Sequence, residues 1–143
     1  MQIFHSPFEA RARALLTQCH LPTDDLDSHH FEHFLGCGSH EDIKGIVGLE
    51  IFGSVALLRS LAVSEEARGL GYGKALIAGI ETYAKEKGVR ELYLLTTTAE
   101  HFFVQLGYTQ EKRNTAPEPI KRTKEFSDLC PDSAVFMVKK LEG

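Results

Sequence analysis

Residues 68–74 read Arg68-Gly69-Leu70-Gly71-Tyr72-Gly73-Lys74, between an apolar run ending at Val63 and a helix-like run beginning at Gly73. Three glycines at alternate positions let the backbone turn successive N–H groups towards one point. The helix that follows brings the positive end of its dipole to the same place. With Arg68 and Lys74 adding cationic side chains, the segment reads as an anion site, and its double charge suits a pyrophosphate. A Walker A loop is excluded: its first glycine would fall on Arg68, and Lys74 is followed by Ala75 rather than Ser or Thr. A dinucleotide fingerprint is excluded because its third glycine would fall on Lys74. For so short a motif, a glycine-rich turn without a ligand is the competing reading.

On the N-terminal side of the loop, Ile43–Phe52 and Val55–Val63 read as the two arms of a hairpin closed by Gly53-Ser54. Both arms are almost continuously apolar, so they belong in the middle of a sheet covered on both faces. Ser64 caps a short turn at Glu65–Ala67. On the C-terminal side, Leu76, Ile77, Ile80, Tyr83 and Ala84 form one stripe of a helix from Gly73 to Lys87, which Gly88 ends. Glu91–Thr96 then reads as a strand, Ala99–Leu106 as a short helix and Tyr108 as the start of another strand. The polar stretch Arg113–Asp132 precedes a last strand at Ala134–Lys139. Before the hairpin, Met1–Phe4 is extended. Ser6-Pro7-Phe8-Glu9 has the form of a capping box opening a helix with Phe8, Ala12, Leu15, Leu16 and Cys19 on its inner face. Asp24 to His33 is polar, and a strand is expected near Phe34–Cys37. The whole is α+β: one mixed, twisted sheet with helices on both faces.

A chain of 143 residues, 43% hydrophobic and 25% charged, suits one domain over residues 1–143. Sixteen Lys+Arg against twenty Asp+Glu leave a net charge of −4, which argues against a general nucleic-acid binder. Apolar runs such as Val55–Leu58 are far short of the roughly 20 residues that cross a bilayer. Glu9, Arg11 and Arg13 near the N-terminus are unlike a signal peptide. Cys19, Cys37 and Cys130 are odd in number and far apart, which suits reduced thiols in a cytoplasm. In the cluster His29, His30 and His33, His29 and His33 stand at i, i+4, the spacing of a metal pair, but there is no HExxH pattern and no cysteine at zinc-finger spacing. A histidine cluster without a ligand is the competing reading, and no metal is expected.

Arg68, Gly71 and Gly73 match the pattern [R/Q]-x-x-G-x-[G/A], and with the order of elements around them the chain resembles the GNAT family of N-acetyltransferases over nearly its whole length. The segments LLRSLAVSEEARGLGYGKALI, VRELYLLTTTAEHFFVQLGY and APEPIKRTKEFSDLCPDSAVFM resemble the arsenic-resistance-associated N-acetyltransferases. These are in turn similar to the acetyltransferase domain of N-acetylglutamate synthases. The resemblance implies a splayed central strand pair with the thioester of acetyl-CoA in the gap. Backbone groups of Leu61, Ala62 and Val63 would hold the pantetheine arm, and an N–H near Val63 would polarise the acetyl carbonyl. The backbone of Gly69, Leu70, Gly71, Tyr72, Gly73 and Lys74 would hold the pyrophosphate. The implied substrate is a small amino-acid-like amine, glutamate or an analogue bearing phosphorus or arsenic, with a role in arsenic or toxin resistance. Where many members carry a Tyr against the coenzyme sulfur, this chain has Phe103, so no phenol protonates the thiolate from there.

Transfer to an amine needs a proton acceptor, an oxyanion donor and a tolerable leaving group. Glu50, among apolar residues on the first hairpin arm, is the candidate base; the alternative is that it pairs with Arg59 across the hairpin. Arg59 and Ser60, candidates with Glu50 for the catalytic set, fall on opposite faces by alternation, and Arg59 is also a candidate for a substrate carboxylate. Thr96, Thr97 and Thr98 offer hydroxyls to the substrate, or else Thr98 caps the helix at Ala99. Arg122, with Lys121 and Lys124, makes one wall basic, as an acidic substrate would favour; the alternative is a solvated charged face. Cys130 is the thiol to watch for a metalloid. Two other readings stand beside the small-molecule enzyme: a non-catalytic acetyl-CoA or metalloid sensor, and an acetyltransferase of protein lysines or N-termini. The strand at Ala134–Lys139, as a sheet edge, would suit a homodimer.

Overall fold

The computed structural model describes residues 3–21, 23–124, 126–127 and 133–141. The strands are β1 (Ile3–His5), β2 (Phe34–Gly38), β3 (Ile43–Phe52), β4 (Val55–Val63), β5 (Glu91–Thr96), β6 (Thr109–Gln110) and β7 (Val135–Lys140). The α-helices are α1 (Glu9–Gln18), α2 (Tyr72–Glu86), α3 (Glu100–Gln105) and α4 (Glu118–Lys121), and short 3-10 turns lie at His30–His33, Glu65–Ala67 and Arg113–Thr115. Hydrogen bonding orders the strands β1-β2-β3-β4-β5-β7-β6. The β4–β5 ladder is parallel, whereas β1–β2, β2–β3, β5–β7 and β6–β7 are antiparallel, so the sheet is mixed as expected. Both hairpin arms have the boundaries read from their apolar runs. Gly53 turns the corner at φ +67 while Ser54 keeps a negative φ, the pattern of a two-residue turn with glycine first.

Contacts divide the chain into two compact units. One comprises the residues up to Glu50 with Leu58–Tyr83; the other comprises Ile51–Leu57 with the chain from Ala84 onward.

The first unit is built on the inner face of α1. Ala12, Leu15 and Leu16 pack with Leu26, Phe31, Phe34, Ile46 and Ala62, all buried. The leucine, isoleucine and phenylalanine side chains among them each contribute about 1.5–3 kcal/mol of burial energy. Phe34 lies over Gly48, where any side chain would overlap its ring, so glycine is required there by space rather than by backbone angle. From α2, Leu76, Ile77 and Ile80 are buried as the stripe predicts. The start of α1 departs from expectation. Its N-cap is Phe8, which makes no side-chain bond and is 53% exposed rather than on the inner face; Ser6 takes φ +52 in a bend, and its N–H donates to the Phe34 carbonyl. Closure of β1 onto β2 claims Ser6 before the helix can.

The second unit packs Leu57, Tyr93, Ala116, Ile120 and Phe136 together, with Tyr93 stacked on Phe136 at 5.4 Å. Burial pushes the Tyr93 phenol above its ordinary pKa, with Glu91 and Glu111 adding to the effect. The ladder of β4 onto β5 joins Val55 to Glu91, Ala56 to Leu92 and Leu57 to Tyr93. β5 pairs with β7 from Glu91↔Lys140 to Thr96↔Val135. The final strand is not an edge, as the sequence had suggested: β6 covers its other side at Val138 and Met137. The crossover that inserts β7 between β5 and β6 removes that argument for a homodimer. Among the described residues, no helix is long and apolar enough to cross a membrane.

Candidate active site

The glycine loop joins the end of β4 to α2, which begins at Tyr72, one residue before the expected start. Gly69 and Gly71 take φ +81 and +84, a region that costs an L-residue about 1–2 kcal/mol. A Cβ at either position would meet nothing within 4 Å, so glycine serves the backbone angle and leaves open space in front of the loop. The Ala75 N–H donates to the Gly71 carbonyl, which leaves the N–H groups just before it at the helix start without intrahelical acceptors. The first turn of α2 carries no acidic side chain to compete for that positive end. These features fit a pyrophosphate. Lys74 is exposed beside them. Arg68 acts differently from the anion-facing role expected of it: its Nε donates to the Val63 carbonyl at 3.2 Å and ties the loop to the end of β4. The Cys19 thiol also donates to that carbonyl, at 3.7 Å. Leu61 and Val63 are half-buried and Ala62 is buried.

The same unit gathers Glu50, Arg59 and Ser60. The Arg59 side chain is 0% exposed, and its Nη1 donates to Glu50 Oε2 at 2.9 Å, so the hairpin ion pair is present. Its fork, however, lies on Asp25: Nη2 donates to Oδ1 at 2.9 Å and Nη1 to Oδ2. The Asp25 side chain is itself 4% exposed. The guanidinium expected to face a substrate carboxylate is thus already engaged by two carboxylates of the chain itself. The alternation of Arg59 and Ser60 fails as well. Ser60 takes φ +60, and its hydroxyl accepts from Arg59 Nε at 3.1 Å, so the two neighbours turn towards each other.

Asp25 was not singled out by sequence reasoning. It sits in an irregular polar stretch, 34 residues before the arginine that it binds. The available signal was an arginine inside an apolar strand, which must find carboxylates. α1 holds the stretch in place: Arg13 Nη2 donates to the Leu26 carbonyl at 2.6 Å and its guanidinium lies 5.1 Å from the Phe31 ring centroid. Glu9 in turn binds Arg13 and Ser28, and these bonds hold its carboxyl below the usual range.

His30 joins the network, with Nε2 3.6 Å from Glu50 Oε1 and Nδ1 3.1 Å from Asp27 Oδ1. Burial pushes the Asp27 carboxyl up, but the N–H groups of His29 and His30 together with the His30 ring outweigh it and hold the carboxyl below its ordinary value. His33 turns instead to the Tyr83 hydroxyl at 2.6 Å. The histidines are thus divided among separate partners. Among the described residues, no group of three or more His, Cys, Asp or Glu could hold a metal ion.

The remaining candidates lie in the second unit. Phe103 is 4% exposed, edge-on to Phe102 and Tyr108 at 5.1 and 5.4 Å; its ring packs rather than lining an open surface. The Thr96 hydroxyl accepts from the Ala99 N–H at 3.0 Å, so Thr96 rather than Thr98 ends β5 and opens the turn into α3. Thr97 is exposed, as is Arg122 just past α4. Cys130 lies outside the described residues.

Solved structures share this architecture. An N-acetylglutamate synthase from Neisseria gonorrhoeae, complexed with coenzyme A and N-acetyl-glutamate, superposes with a TM-score of 0.85 at 21% identity, over 99% of this chain and 35% of that one. An uncharacterised N-acetyltransferase of Chlorobaculum tepidum is 38% identical over 68 residues, 48% of this chain and 43% of that protein. An amino-acid acetyltransferase of Ralstonia nicotianae is 31% identical over 82 residues, 50% of this chain and 18% of that protein. The matches thus span less than half the length of these curated relatives. The model of the acetyltransferase (GNAT) family matches residues 2–108, three quarters of the chain and the whole of the hairpin, loop and α2. On that match, and on a fold that agrees with it, the chain belongs to the GNAT acetyltransferase family.

Proposed function

We propose that residues 1–143 act as one acetyl-CoA-dependent N-acetyltransferase domain on a small amino-acid-like amine, by direct transfer. The observation that carries the reading is the loop at the head of α2, where Gly69 and Gly71 hold positive φ before a first turn free of acidic side chains. Its N–H groups would bind the pyrophosphate of the coenzyme, with Lys74 contributing charge and Arg68 keeping the loop on β4. Backbone groups of Leu61–Val63 would bind the pantetheine arm and polarise the acetyl carbonyl. The amine nitrogen attacks that carbonyl, the C–N bond forms and the C–S bond breaks. The amine's proton leaves to Glu50, directly or through water, and the thiolate takes its proton from solvent. A thiol pKa near 8.5 makes unassisted departure tolerable, so the replacement of the family's Tyr by Phe103 does not block the reaction.

For the acceptor, the amino-acid acetyltransferase among the similar proteins favours an amino acid and the N-acetylglutamate synthase favours glutamate, while a phosphorus or arsenic analogue rests on the resemblance of the sequence alone. The same reading places the protein in the cytoplasm and gives Thr96, Thr97 and Arg122 to the acceptor's side. The test is thiol release from acetyl-CoA against glutamate, aspartate, phosphinic and arsenic analogues of glutamate, polyamines and a lysine peptide. Turnover with an acidic amino acid, lost in Arg68→Ala, is the expected result. Tight coenzyme A binding with no turnover across the panel would replace this reading with a sensor.

A further inference from the structure

The described part of the first unit holds one residue whose backbone conformation is out of keeping with its place. Ser60 lies inside β4, yet takes φ +60, where Ser6 and His20, the other non-glycine residues of this kind, lie in turns. Such a conformation persists only where its surroundings over-determine it. Here a chain of buried polar bonds does so. The Ser60 hydroxyl accepts from Arg59 Nε, and the rest of that guanidinium is fixed by Asp25 and Glu50. Asp25 is held in turn by the stretch that Arg13 and the buried Leu26 clamp to α1.

We propose that Asp25 is a positioning residue for acetyl transfer. Through Arg59 it holds Ser60 in the left-handed conformation, and so sets which way the backbone N–H groups of Leu61, Ala62 and Val63 point. The inference rests on the function proposed above, which gives those groups the thioester. Side chains and backbone groups alternate in direction along a strand, so a change of conformation at one residue redirects those that follow. Asp25 is not a catalytic residue in this account: its carboxylate touches the guanidinium, not the reacting atoms.

The test is a double-mutant cycle of Asp25→Asn and Ser60→Gly, read as kcat and as coenzyme A affinity by calorimetry. Asp25→Asn is expected to lower kcat about ten- to hundred-fold, the effect of a small misplacement of reacting groups. Coenzyme A affinity, dominated by the loop at Gly69–Lys74, should stay within about three-fold. Glycine reaches φ +60 without strain, so in the Ser60→Gly background the kcat effect of Asp25→Asn should shrink to about three-fold or less. A role in stability alone would lower the melting temperature equally in both backgrounds without lowering the kcat of the folded enzyme, and an action other than through Ser60 would leave the kcat effect undiminished in the Ser60→Gly background. That result, or an unchanged kcat in Asp25→Asn, overturns the proposal.

A readout independent of activity separates this proposal from the functional one. In amide NMR spectra, Asp25→Asn should shift the signals of Leu61–Val63 and leave those of Gly69–Lys74 in place. If the wild type shows no acetyl transfer but these shifts occur, the functional reading fails and the coupling stands. If transfer occurs and the Leu61–Val63 signals do not move, the coupling fails. Should Asp25→Asn not fold, Asp25→Glu keeps the charge while displacing the fork by one methylene. It is expected to show the same pattern at smaller amplitude, and unmoved signals with normal kcat would refute the idea.

Discussion

Replacing Gly71 by Ala separates a glycine needed for a ligand from one needed for a turn, with Gly53→Ala as the control. Both residues have positive φ, +84 and +67, and in both cases a Cβ would point into open space. The backbone strain is therefore similar, about 1–2 kcal/mol, and is offset by about 0.4–1 kcal/mol because Ala has less freedom than Gly in the unfolded chain. Gly53 closes the hairpin of β3 and β4 and has no way to relax. Its substitution should lower stability by about 0.5–1.5 kcal/mol, or about 2–6 °C in melting temperature for a chain of this size. Gly71 lies in an exposed loop, which can relax to negative φ when no ligand is bound. The strain then returns only when the coenzyme requires the N–H groups to converge. A cost of 1–2 kcal/mol paid on binding is a loss of affinity of about 5–30-fold. Gly71→Ala should therefore melt closer to the wild type than Gly53→Ala, yet bind coenzyme A about 5–30-fold more weakly by calorimetry, while Gly53→Ala binds normally. Equal affinities in the two variants would refute the assignment of the loop to the anion.

Three further outcomes follow from the packing. Gly48→Ala would force the buried Phe34 ring aside, an overpacking cost of about 1–3 kcal/mol, measurable as a lower denaturant midpoint with unchanged slope. Burial pushes the Cys37 thiol up to about 11, so at pH 8 a thiol reagent should label half-exposed Cys19 first and reach Cys37 only on unfolding. The sign for stability follows: the folded state keeps this proton longer than the unfolded chain, so its contribution is complete below about pH 9 and is lost as pH rises towards about 11. Phe103→Ala would empty a site enclosed by Phe102 and Tyr108, at about 3–5 kcal/mol by thermal or denaturant unfolding; a cost below about 1 kcal/mol would contradict its place in the core.

The parts of the fold visible in the sequence are those whose causes are local. The arms at Ile43–Phe52 and Val55–Val63 announce themselves as almost continuously apolar runs, and Gly53, Gly69, Gly71 and Gly88, read as turn, loop and helix-end glycines, all take positive φ, whereas Gly73 lies within α2. What escaped depends on partners distant in the chain. The pattern Ser6-Pro7-Phe8-Glu9 would cap a helix in isolation, but the Phe34 carbonyl claims the Ser6 N–H. The position of β7 between β5 and β6 follows from a crossover that its own residues do not encode. Ser60 carries no glycine to mark its turn, and Asp25 looks like any polar loop residue until Arg59 is folded against it. The candidate site was legible in the same uneven way. Glu50 and Arg59 stand out as charges within apolar strands, with their ion pair as one of the readings, whereas Asp25, which takes the fork of the guanidinium, has no such mark.

The central claim is chemical, and product identity tests it most directly. The wild-type protein would be incubated with acetyl-CoA and glutamate, with free thiol titrated and the amino acid weighed by mass spectrometry in the same samples. The account predicts N-acetylated amino acid appearing in step with thiol, one for one. Thiol released without an acetylated amine, or no release from a protein that binds coenzyme A, would contradict it.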